Sequence, residues 1–267
     1  MTDTRLAGVL DDPGRTAVCL DYDGTLTPIV ADPEQARPAP ELLPVLARLT
    51  RQLGYVAVIS GRPVSFLRAQ LPVPGLRLLG LYGAEELVRE EVIVLPEIAG
   101  YQAAMAKVID ELRRHPAVTG SGAHIEDKRF SAVVHLRRVA DPRAWADRLA
   151  EAASQVADAH GLTVVTGKMV WEIKPPVAVD KGSAVRRIVT HLQASALIVV
   201  GDDEGDIPAF QAAGDLAAAG EVRSLCVAVS SAEVPDRLVS LADLSVDGPG
   251  EVLGLLTAMS ASLPPAS

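Results

Sequence analysis

The chain has few aromatic side chains, only two cysteines and no long apolar run. Aromatic residues make up 3% of its 267 residues and hydrophobic residues 49%, so a sizeable core must be built mainly from Ala, Val and Leu. Cys19 and Cys226 both lie in apolar runs, which is typical of buried free thiols rather than a disulfide or a metal site. No apolar run approaches the roughly 20 residues that a membrane-spanning helix needs.

An excess of basic residues is also absent, since the formal net charge is -9. This balance argues against nucleic acid or an anionic membrane surface as the main partner. The N-terminal residues show no basic segment followed by an apolar one, as a secretory signal would have. We therefore expect a soluble, cytoplasmic protein.

Both terminal parts of the chain alternate short apolar runs with helix-like segments. The runs are continuously apolar, as in "TAVCL" from Thr16 and "ALIVV" from Ala196, and this pattern is typical of parallel strands buried on both faces. Strand–helix–strand repetition predicts an α/β fold with a doubly wound, Rossmann-like parallel sheet.

The middle of the chain differs, because its strand-like runs alternate polar and apolar residues. Two amphipathic helices are predicted between these runs, near Glu97–Arg114 and Pro142–His160. The pattern predicts an α+β cap, residues 85–175, inserted into a core formed by residues 1–84 and 176–267.

Four segments of the predicted core place polar side chains at strand ends or helix starts, where open α/β sheets bind their ligands. In chain order these residues are Asp21 and Asp23; Ser60; Lys181; and Asp202, Asp203, Glu204 and Asp206. Each segment alone also fits an ordinary solvated turn or helix cap. An EF-hand is excluded because Leu26 stands where its loop requires Gly, and the chain lacks the glycine-rich phosphate loop of P-loop proteins.

Two features favour a functional site over solvated turns. Lys181 is predicted in the first turn of a helix, where a cation opposes the helix dipole, and this position makes sense if the lysine faces an anion. The acidic residues around Asp202, added to Asp21 and Asp23, would repel one another without a cation. An oxygen-only ligand set suits Mg²⁺, and carboxylates, a metal, a lysine and a hydroxyl together can handle a phosphate group.

Read in order, "DYDGT", the strand end at Ser60, Lys181 and "GDDEGD" resemble the four motifs of haloacid-dehalogenase-like phosphatases. The resemblance implies that Asp21 is a nucleophile forming an aspartyl-phosphate. Asp23 would be the general acid that protonates the leaving oxygen and then activates water. Ser60 and Lys181 would bind phosphoryl oxygens.

The same resemblance implies a magnesium site. Asp21, the backbone carbonyl of Asp23, and Asp202 would hold the ion, with Asp203 and Asp206 close behind. Asp206 could equally be the N-cap of the following helix, and the sequence leaves these alternatives open.

Over nearly its full length the chain looks like the trehalose-6-phosphate phosphatases, through "LDYDGTLTPIV", "VISGRP", "YGAE", "IEDKRFSAVVHLR", "GKMVWEIKP", "DKGSAV" and "GDD". This resemblance implies Mg²⁺-dependent hydrolysis of trehalose 6-phosphate, a step of trehalose biosynthesis. The residues that it places at the substrate are Gly61 and Arg62 in the core and Glu126, Lys128, Arg137, Lys168 and Glu172 in the cap. Composition alone would make these cap residues a solvated strand face with ordinary ion pairs.

Two positions depart from the family pattern, since "GDDEGDIPAF" replaces a more usual Thr-Asp-Glu-Asp run and Tyr82 stands where His is frequent. The roles of Glu85 and Asp206 therefore stay open, and Lys174, which would share a strand face with Glu172, is left unassigned. One alternative is a phosphatase for another sugar phosphate, such as sucrose phosphate or mannosylglycerate phosphate. Another is a non-catalytic regulatory domain that binds a sugar phosphate. Association with a trehalose-6-phosphate synthase is also left open.

Overall fold

The chain folds as two units in the computed structural model, which describes residues 4–30, 32–137, 139–167, 169–231 and 234–265. One unit comprises Met1–Ile93 and Val179–Ser267, and the other comprises Val94–Ala178.

The strands of the described residues are numbered in chain order. They are β1 (Thr16–Leu20), β2 (Tyr55–Ile59), β3 (Arg77–Gly80), β4 (Glu85–Val88), β5 (Glu91–Val94), β6 (His124–Asp127), β7 (Ala132–His135), β8 (Thr163–Gly167), β9 (Val170–Lys174), β10 (Ala196–Gly201), β11 (Arg223–Ser230) and β12 (Leu244–Asp247).

The α-helices of the described residues follow the same order. They are α1 (Thr4–Val9), α2 (Leu42–Gln52), α3 (Val64–Gln70), α4 (Pro96–Ala99), α5 (Gln102–Arg114), α6 (Pro116–Ser121), α7 (Pro142–Ala159), α8 (Lys181–Leu192), α9 (Ile207–Ala218), α10 (Asp236–Leu241) and α11 (Gly248–Ser262). Short 3-10 turns lie at Pro13–Arg15, Pro33–Gln35, Leu81–Gly83 and Glu204–Asp206.

The larger unit is built on an eight-stranded sheet with the strand order β12-β11-β10-β1-β2-β3-β4-β5. The pairs from β12 to β3 are parallel, and β4 pairs antiparallel with β3. This arrangement confirms the predicted α/β fold with a doubly wound, parallel-sheet core.

Strand β1 shows why the sheet is buried on both faces. Val18 and Leu20 pack in the apolar cluster that includes α2 and α11, whereas Ala17 and Cys19 pack in the cluster that includes α8 and α9. Alternate side chains of a strand point to opposite faces, so a continuously apolar strand needs helices on both sides. Cys19 and Cys226 are free and buried, as predicted, and burial raises the pKa of each thiol to about 12.

The central strands bring the polar segments to one edge of the sheet. Because β1 lies between β10 and β2 and runs parallel to both, the residues that follow these three strands are neighbours. Asp21 follows β1, Ser60 follows β2 and Asp202 follows β10.

The smaller unit has an antiparallel sheet with the order β6-β7-β9-β8. Ile125, Val134 and Ile173 of this sheet pack against apolar residues of α5, α6 and α7. One face of the sheet is therefore covered by helices, and Glu126 and Glu172, which neighbour Ile125 and Ile173 along their strands, lie on the other face.

The predicted boundaries of the inserted cap, after residues 84 and 175, stay a prediction. In the structure the chain turns back after β3, so that β4 and β5 extend the sheet of the larger unit, and the two units separate after Ile93 and Ala178. Within the described ranges, no helix is both long enough and apolar enough to span a membrane.

Candidate active site

Asp21 is buried at the end of β1, with 5% of its surface exposed. Its backbone N–H donates to the carbonyl of Val200 at 3.0 Å, which continues the pairing of β1 with β10. Burial raises the pKa of Asp21 well above its ordinary value, although Lys181 acts in the opposite direction. A solvated turn would not bury this carboxylate.

Lys181 lies beside Asp21 because α8 begins at this residue. Asp180 caps the helix by accepting a hydrogen bond from the N–H of Ser183, whose hydroxyl accepts one from the N–H of Asp180 in return. The Nζ atom of Lys181 lies 2.6 Å from Oδ1 of Asp21 and 2.6 Å from Oδ1 of Asp206. Burial acts to lower the pKa of Lys181, but the carboxylates of Asp206 and Asp21 outweigh it and raise that pKa.

Both oxygens of Asp206 are occupied by the protein. Oδ1 faces Lys181, and Oδ2 accepts hydrogen bonds from the backbone N–H groups of Asp202 at 2.9 Å and Asp203 at 3.2 Å. Its side chain makes no capping hydrogen bond to α9, so it holds the loop after β10 instead. Gly201 permits this close approach, since a Cβ atom there would lie 2.3 Å from Cγ of Asp206.

Asp202 is 3% exposed and accepts a hydrogen bond from Oγ1 of Thr25 at 2.9 Å. Burial raises the pKa of Asp202 to about 7. Gly24 has φ +81°, and a Cβ atom there would lie 2.0 Å from Oδ2 of Asp202. Sequence reasoning missed the contact of Thr25, although this threonine is the last residue of "DYDGT".

Three carboxylates come together at this edge. Asp21, Asp202 and Asp206 each offer one oxygen, and these oxygens lie within 4.8 Å of one another. It is the one such cluster of acidic, histidine or cysteine ligands among the residues that the structure describes. The donors are all oxygen, as Mg²⁺ prefers, so the residues fit a hard divalent cation. Asp203 is exposed, and one of its oxygens accepts from the N–H of Gly205 at 2.8 Å; it lies outside the cluster.

Asp23 lies outside this cluster and is paired with Arg62 instead of Lys181. Nε of Arg62 lies 2.8 Å from Oδ2 of Asp23, and Nη2 lies 2.9 Å from Oδ1. The hydrogen bond to Asp23 is the main cause that raises the pKa of Arg62. The neighbouring strands β1 and β2 bring the two residues to the same edge of the sheet, but the pairing itself depends on side-chain rotamers that no sequence pattern indicates.

Ser60 is buried, and its Oγ accepts a hydrogen bond from the backbone N–H of Arg62 at 3.2 Å. The next residue, Gly61, lies against the ring of Tyr82, since a Cβ atom at Gly61 would be 2.9 Å from Cζ of that ring. Tyr82 is partly exposed and has φ 60°. Glu85 is buried and accepts from the N–H of Val64 at 3.0 Å, at the start of α3.

In the smaller unit, the two acidic residues predicted to bind substrate lie on the face of the sheet opposite the helices. Val133 of β7 is the register partner of Glu126 on one side and of Glu172 on the other. Oε2 of Glu126 lies 2.8 Å from Nε2 of His135. Sequence reasoning did not single out this histidine.

Glu172 accepts a hydrogen bond from Oγ of Ser131 at 2.6 Å and lies 4.0 Å from Nζ of Lys128. Arg137 is exposed and Lys174 is half-buried. Lys168, the fifth predicted substrate residue of this unit, lies outside the described residues.

Three comparisons relate the chain to known proteins. The family model described as trehalose-phosphatase matches residues 19–246. A trehalose-phosphate phosphatase of Mycobacterium marinum is 34% identical over 213 residues, which cover 75% of this chain and 52% of that protein. A Mycobacterium tuberculosis protein described as an uncharacterized glycosyl hydrolase is 37% identical over 210 residues, which are 15% of its own length. The matches thus span about half, or much less, of these curated relatives.

A solved structure, the Aspergillus fumigatus trehalose-6-phosphate phosphatase, is similar over 98% of both chains. Its TM-score is 0.74 at 26% sequence identity. The likeness therefore covers both units of the fold.

Proposed function

The chain belongs to the trehalose-phosphatase family, and on that premise we propose that it hydrolyses trehalose 6-phosphate to trehalose and inorganic phosphate. The observation that carries the proposal is the buried contact of Asp21 with Lys181, 2.6 Å apart at the carboxyl edge of the sheet. A carboxylate and an ammonium group held together out of water are suited to attack a phosphoryl group and to bind its oxygens.

Asp21 is the proposed nucleophile and Asp23 the proposed acid and base. A carboxylate oxygen of Asp21 attacks phosphorus, the bond between phosphorus and the sugar oxygen breaks, and that oxygen takes a proton from Asp23. Water then attacks the phosphorus of the aspartyl-phosphate and gives a proton to Asp23, while the bond to Asp21 breaks. Phosphate leaves, and both side chains are restored.

Lys181 and Ser60 are the proposed ligands of the phosphoryl oxygens. Lys181 is already oriented by Asp206, which also holds the backbone of the loop after β10. Because such orientation is built in before substrate arrives, little reorganisation is needed during the reaction.

Asp21, Asp202 and the backbone carbonyl of Asp23 are the proposed ligands of Mg²⁺. When bound, the ion would neutralise charge between the attacking carboxylate and the phosphoryl oxygens. The occupied oxygens of Asp206 favour a supporting role for this residue behind the ligands. A place for Asp203 behind the ligands stays a prediction.

We assign binding of the sugar to Gly61 and Arg62 in the larger unit and to residues of the smaller unit. The latter are Glu126, Lys128, Arg137, Lys168 and Glu172. Carboxylate, ammonium and guanidinium groups can form hydrogen bonds with the many hydroxyl groups of a disaccharide. A cytoplasmic location and association with a trehalose-6-phosphate synthase stay predictions.

The test is phosphate release from trehalose 6-phosphate by protein stripped of divalent ions, before and after Mg²⁺ is restored. We expect activity to return with Mg²⁺ and much less with Ca²⁺, which prefers more ligands at longer distances. Asp21→Asn is the matched control, because its amide keeps the shape but cannot attack phosphorus. Sucrose phosphate and mannosylglycerate phosphate should be poorer substrates. Equal turnover of all three sugar phosphates would overturn the substrate assignment, and activity that survives exhaustive chelation would overturn the metal assignment.

A further inference from the structure

Arg62 occupies both carboxylate oxygens of Asp23. The two N···O distances, 2.8 and 2.9 Å, are those of a planar fork-to-carboxylate pair, the strongest geometry for a guanidinium group. Among the side chains of the proposed reaction, Asp23 must both give and take a proton. With each of its two oxygens accepting from Arg62, the orientation of the Asp23 carboxylate is set by this pair.

The surroundings of Arg62 hold its guanidinium in this position. It lies over the ring of Phe66, with Cζ 4.6 Å from the ring centroid, and Nη2 also donates to the carbonyl of Pro33 at 3.0 Å. The side chain of Arg62 is 18% exposed and that of Asp23 is 36% exposed. The pair is therefore ordered by several contacts, yet an incoming ligand can reach it.

Arg62 also stands on the loop proposed to bind phosphate. Its backbone N–H donates to Oγ of Ser60, and Ser60 is the hydroxyl proposed to contact a phosphoryl oxygen. Two oxygens of a phosphate monoester dianion can accept both hydrogen bonds of the guanidinium, as the two oxygens of a carboxylate do. The dianion also carries more negative charge than one carboxylate. The two anions can compete for the same donors.

We propose that Arg62 is a positioning residue that holds Asp23 until a phosphoryl group enters, and then moves to the phosphoryl oxygens and releases Asp23. The proposal rests on the proposed function and deepens it. Its consequence is that the acid–base group becomes available only when phosphate fills the site. Asp23 and the phosphoryl group are thus alternative partners of one guanidinium.

A cycle of variants measured with orthovanadate, a phosphate mimic, tests this competition in the Mg²⁺-loaded protein. Affinity for vanadate is measured for the unaltered protein, Asp23→Asn, Arg62→Ala and the double variant. If Asp23 competes for Arg62, Asp23→Asn should tighten vanadate binding about tenfold or more when Arg62 is present, in line with a charged hydrogen bond. The gain should be smaller in the Arg62→Ala background.

The opposite order would overturn the proposal. If Arg62 stays with Asp23 and merely neutralises it, removing the carboxylate should help vanadate more when Arg62 is absent, because the charge is then unscreened. Equal gains in both backgrounds would also overturn it. Thermal unfolding of each variant shows whether the protein is folded, and Arg62→Lys, which keeps the charge but lacks the fork, should give an intermediate gain.

Crystal structures with and without orthovanadate give a second, independent measurement. We expect the guanidinium within hydrogen-bond distance of vanadate oxygens, about 2.7–3.2 Å, and no longer paired with both oxygens of Asp23. Persistence of the pair beside bound vanadate would overturn the proposal. Neither measurement uses trehalose 6-phosphate, so failure of that substrate would count against the proposed function and not against the competition.

Discussion

Lys181 is shared between two buried carboxylates, with Nζ 2.6 Å from Oδ1 of Asp21 and 2.6 Å from Oδ1 of Asp206. Asp202 adds a third carboxylate to the same cluster. One ammonium group cannot neutralise three carboxylates, so the buried charge favours either proton uptake or a bound cation. Stability and metal binding should therefore be linked at this site.

Lys181→Met should destabilise the fold and abolish turnover. The variant keeps the apolar stem but leaves two buried carboxylates without their common cation, a loss that typically costs about 3–5 kcal/mol for a buried pair. Proton uptake by one carboxylate will offset part of this cost. The free energy of unfolding in urea and phosphate release from trehalose 6-phosphate measure the two effects.

Arg186→Met is the matched control, since this residue lies on the same helix but pairs with Asp215 at the surface. Exposed pairs contribute about 0–1 kcal/mol. If the two variants lost equal stability and activity, the central role given to the Lys181 contact would be wrong.

The metal-free protein should lose stability as the pH rises from about 4 to about 7. Burial raises the pKa of Asp202 to about 7 from an unfolded value of about 3.9. Between these values the folded state binds more protons than the unfolded state, so the free energy of unfolding falls with increasing pH and levels off above the folded pKa. The raised pKa of Lys181 acts only in the alkaline range, outside this window.

Urea unfolding of the chelated protein at pH 5 and pH 7.5 measures the effect. Asp202→Asn should remove much of the difference, because the amide does not titrate. Mg²⁺ at 100 times its dissociation constant should restore about 2.7 kcal/mol at the higher pH. The predicted direction would be wrong if the chelated protein were more stable at pH 7.5 than at pH 5 and if Asp202→Asn removed that difference.

Gly24→Ala should disable the site through Asp202. The added Cβ atom would lie 2.0 Å from Oδ2 of Asp202, so the carboxylate must move and its hydrogen bond with Thr25 must break. A displacement of about 1 Å at a reacting site can cost on the order of 100-fold in rate. We expect kcat/KM to fall by at least that factor and Mg²⁺ affinity to weaken.

Gly75→Ala separates this displacement from backbone strain. Gly75 also has φ +81°, but the nearest atom to its added Cβ would be Cβ of Thr50 at 3.4 Å. Both variants should lose a similar part of their stability, about 1–2 kcal/mol for a left-handed residue, whereas Gly75→Ala should keep its activity. Comparable activity in the two variants would show that Asp202 tolerates the displacement.

The contrast between β1 and the turn after β3 shows how much of the fold could be predicted from the sequence. The apolar residues of β1 favour a strand covered on both faces, which the structure confirms, but this pattern does not say which strands lie beside it. The extension of the sheet by β4 depends instead on Leu81 and Tyr82, which have φ 50° and 60°. Non-glycine residues rarely adopt such angles, so of the three residues in "LYG" only Gly83, with φ 95°, signals a turn by its residue type.

The contacts within the site likewise include some that the sequence predicts and some that it does not. The pattern predicts that Asp21 and Asp202 each follow a strand of the parallel sheet, and the pairing of β1 with β10 in the structure makes them neighbours. The pair of Arg62 with Asp23 and the three partners of Asp206 depend on side-chain rotamers and on close backbone approach at Gly201. These are tertiary details that one sequence does not encode in any periodic signal.

The last prediction concerns Glu172 in the smaller unit. Its Oε1 accepts a hydrogen bond from Ser131 at 2.6 Å and lies 4.0 Å from Nζ of Lys128, so the carboxylate is ordered but not enclosed. If it binds a sugar hydroxyl, Glu172→Ala should lower kcat/KM for trehalose 6-phosphate about ten- to a hundredfold, since a hydrogen bond to a charged group contributes roughly 1.5–3 kcal/mol. p-Nitrophenyl phosphate lacks the sugar and should lose far less.

Glu151→Ala is the control for removing a carboxylate from this unit, because Glu151 lies on α7 and pairs with Gln155 at the surface. It should leave both substrates unaffected. The informative quantity is the loss of kcat/KM for trehalose 6-phosphate in Glu172→Ala divided by its loss for p-nitrophenyl phosphate. A variant that is merely destabilised would give a ratio near one. A ratio near one would make Glu172 a structural residue of its sheet, held by Ser131 and Lys128, and the choice of trehalose 6-phosphate would then rest on family membership alone.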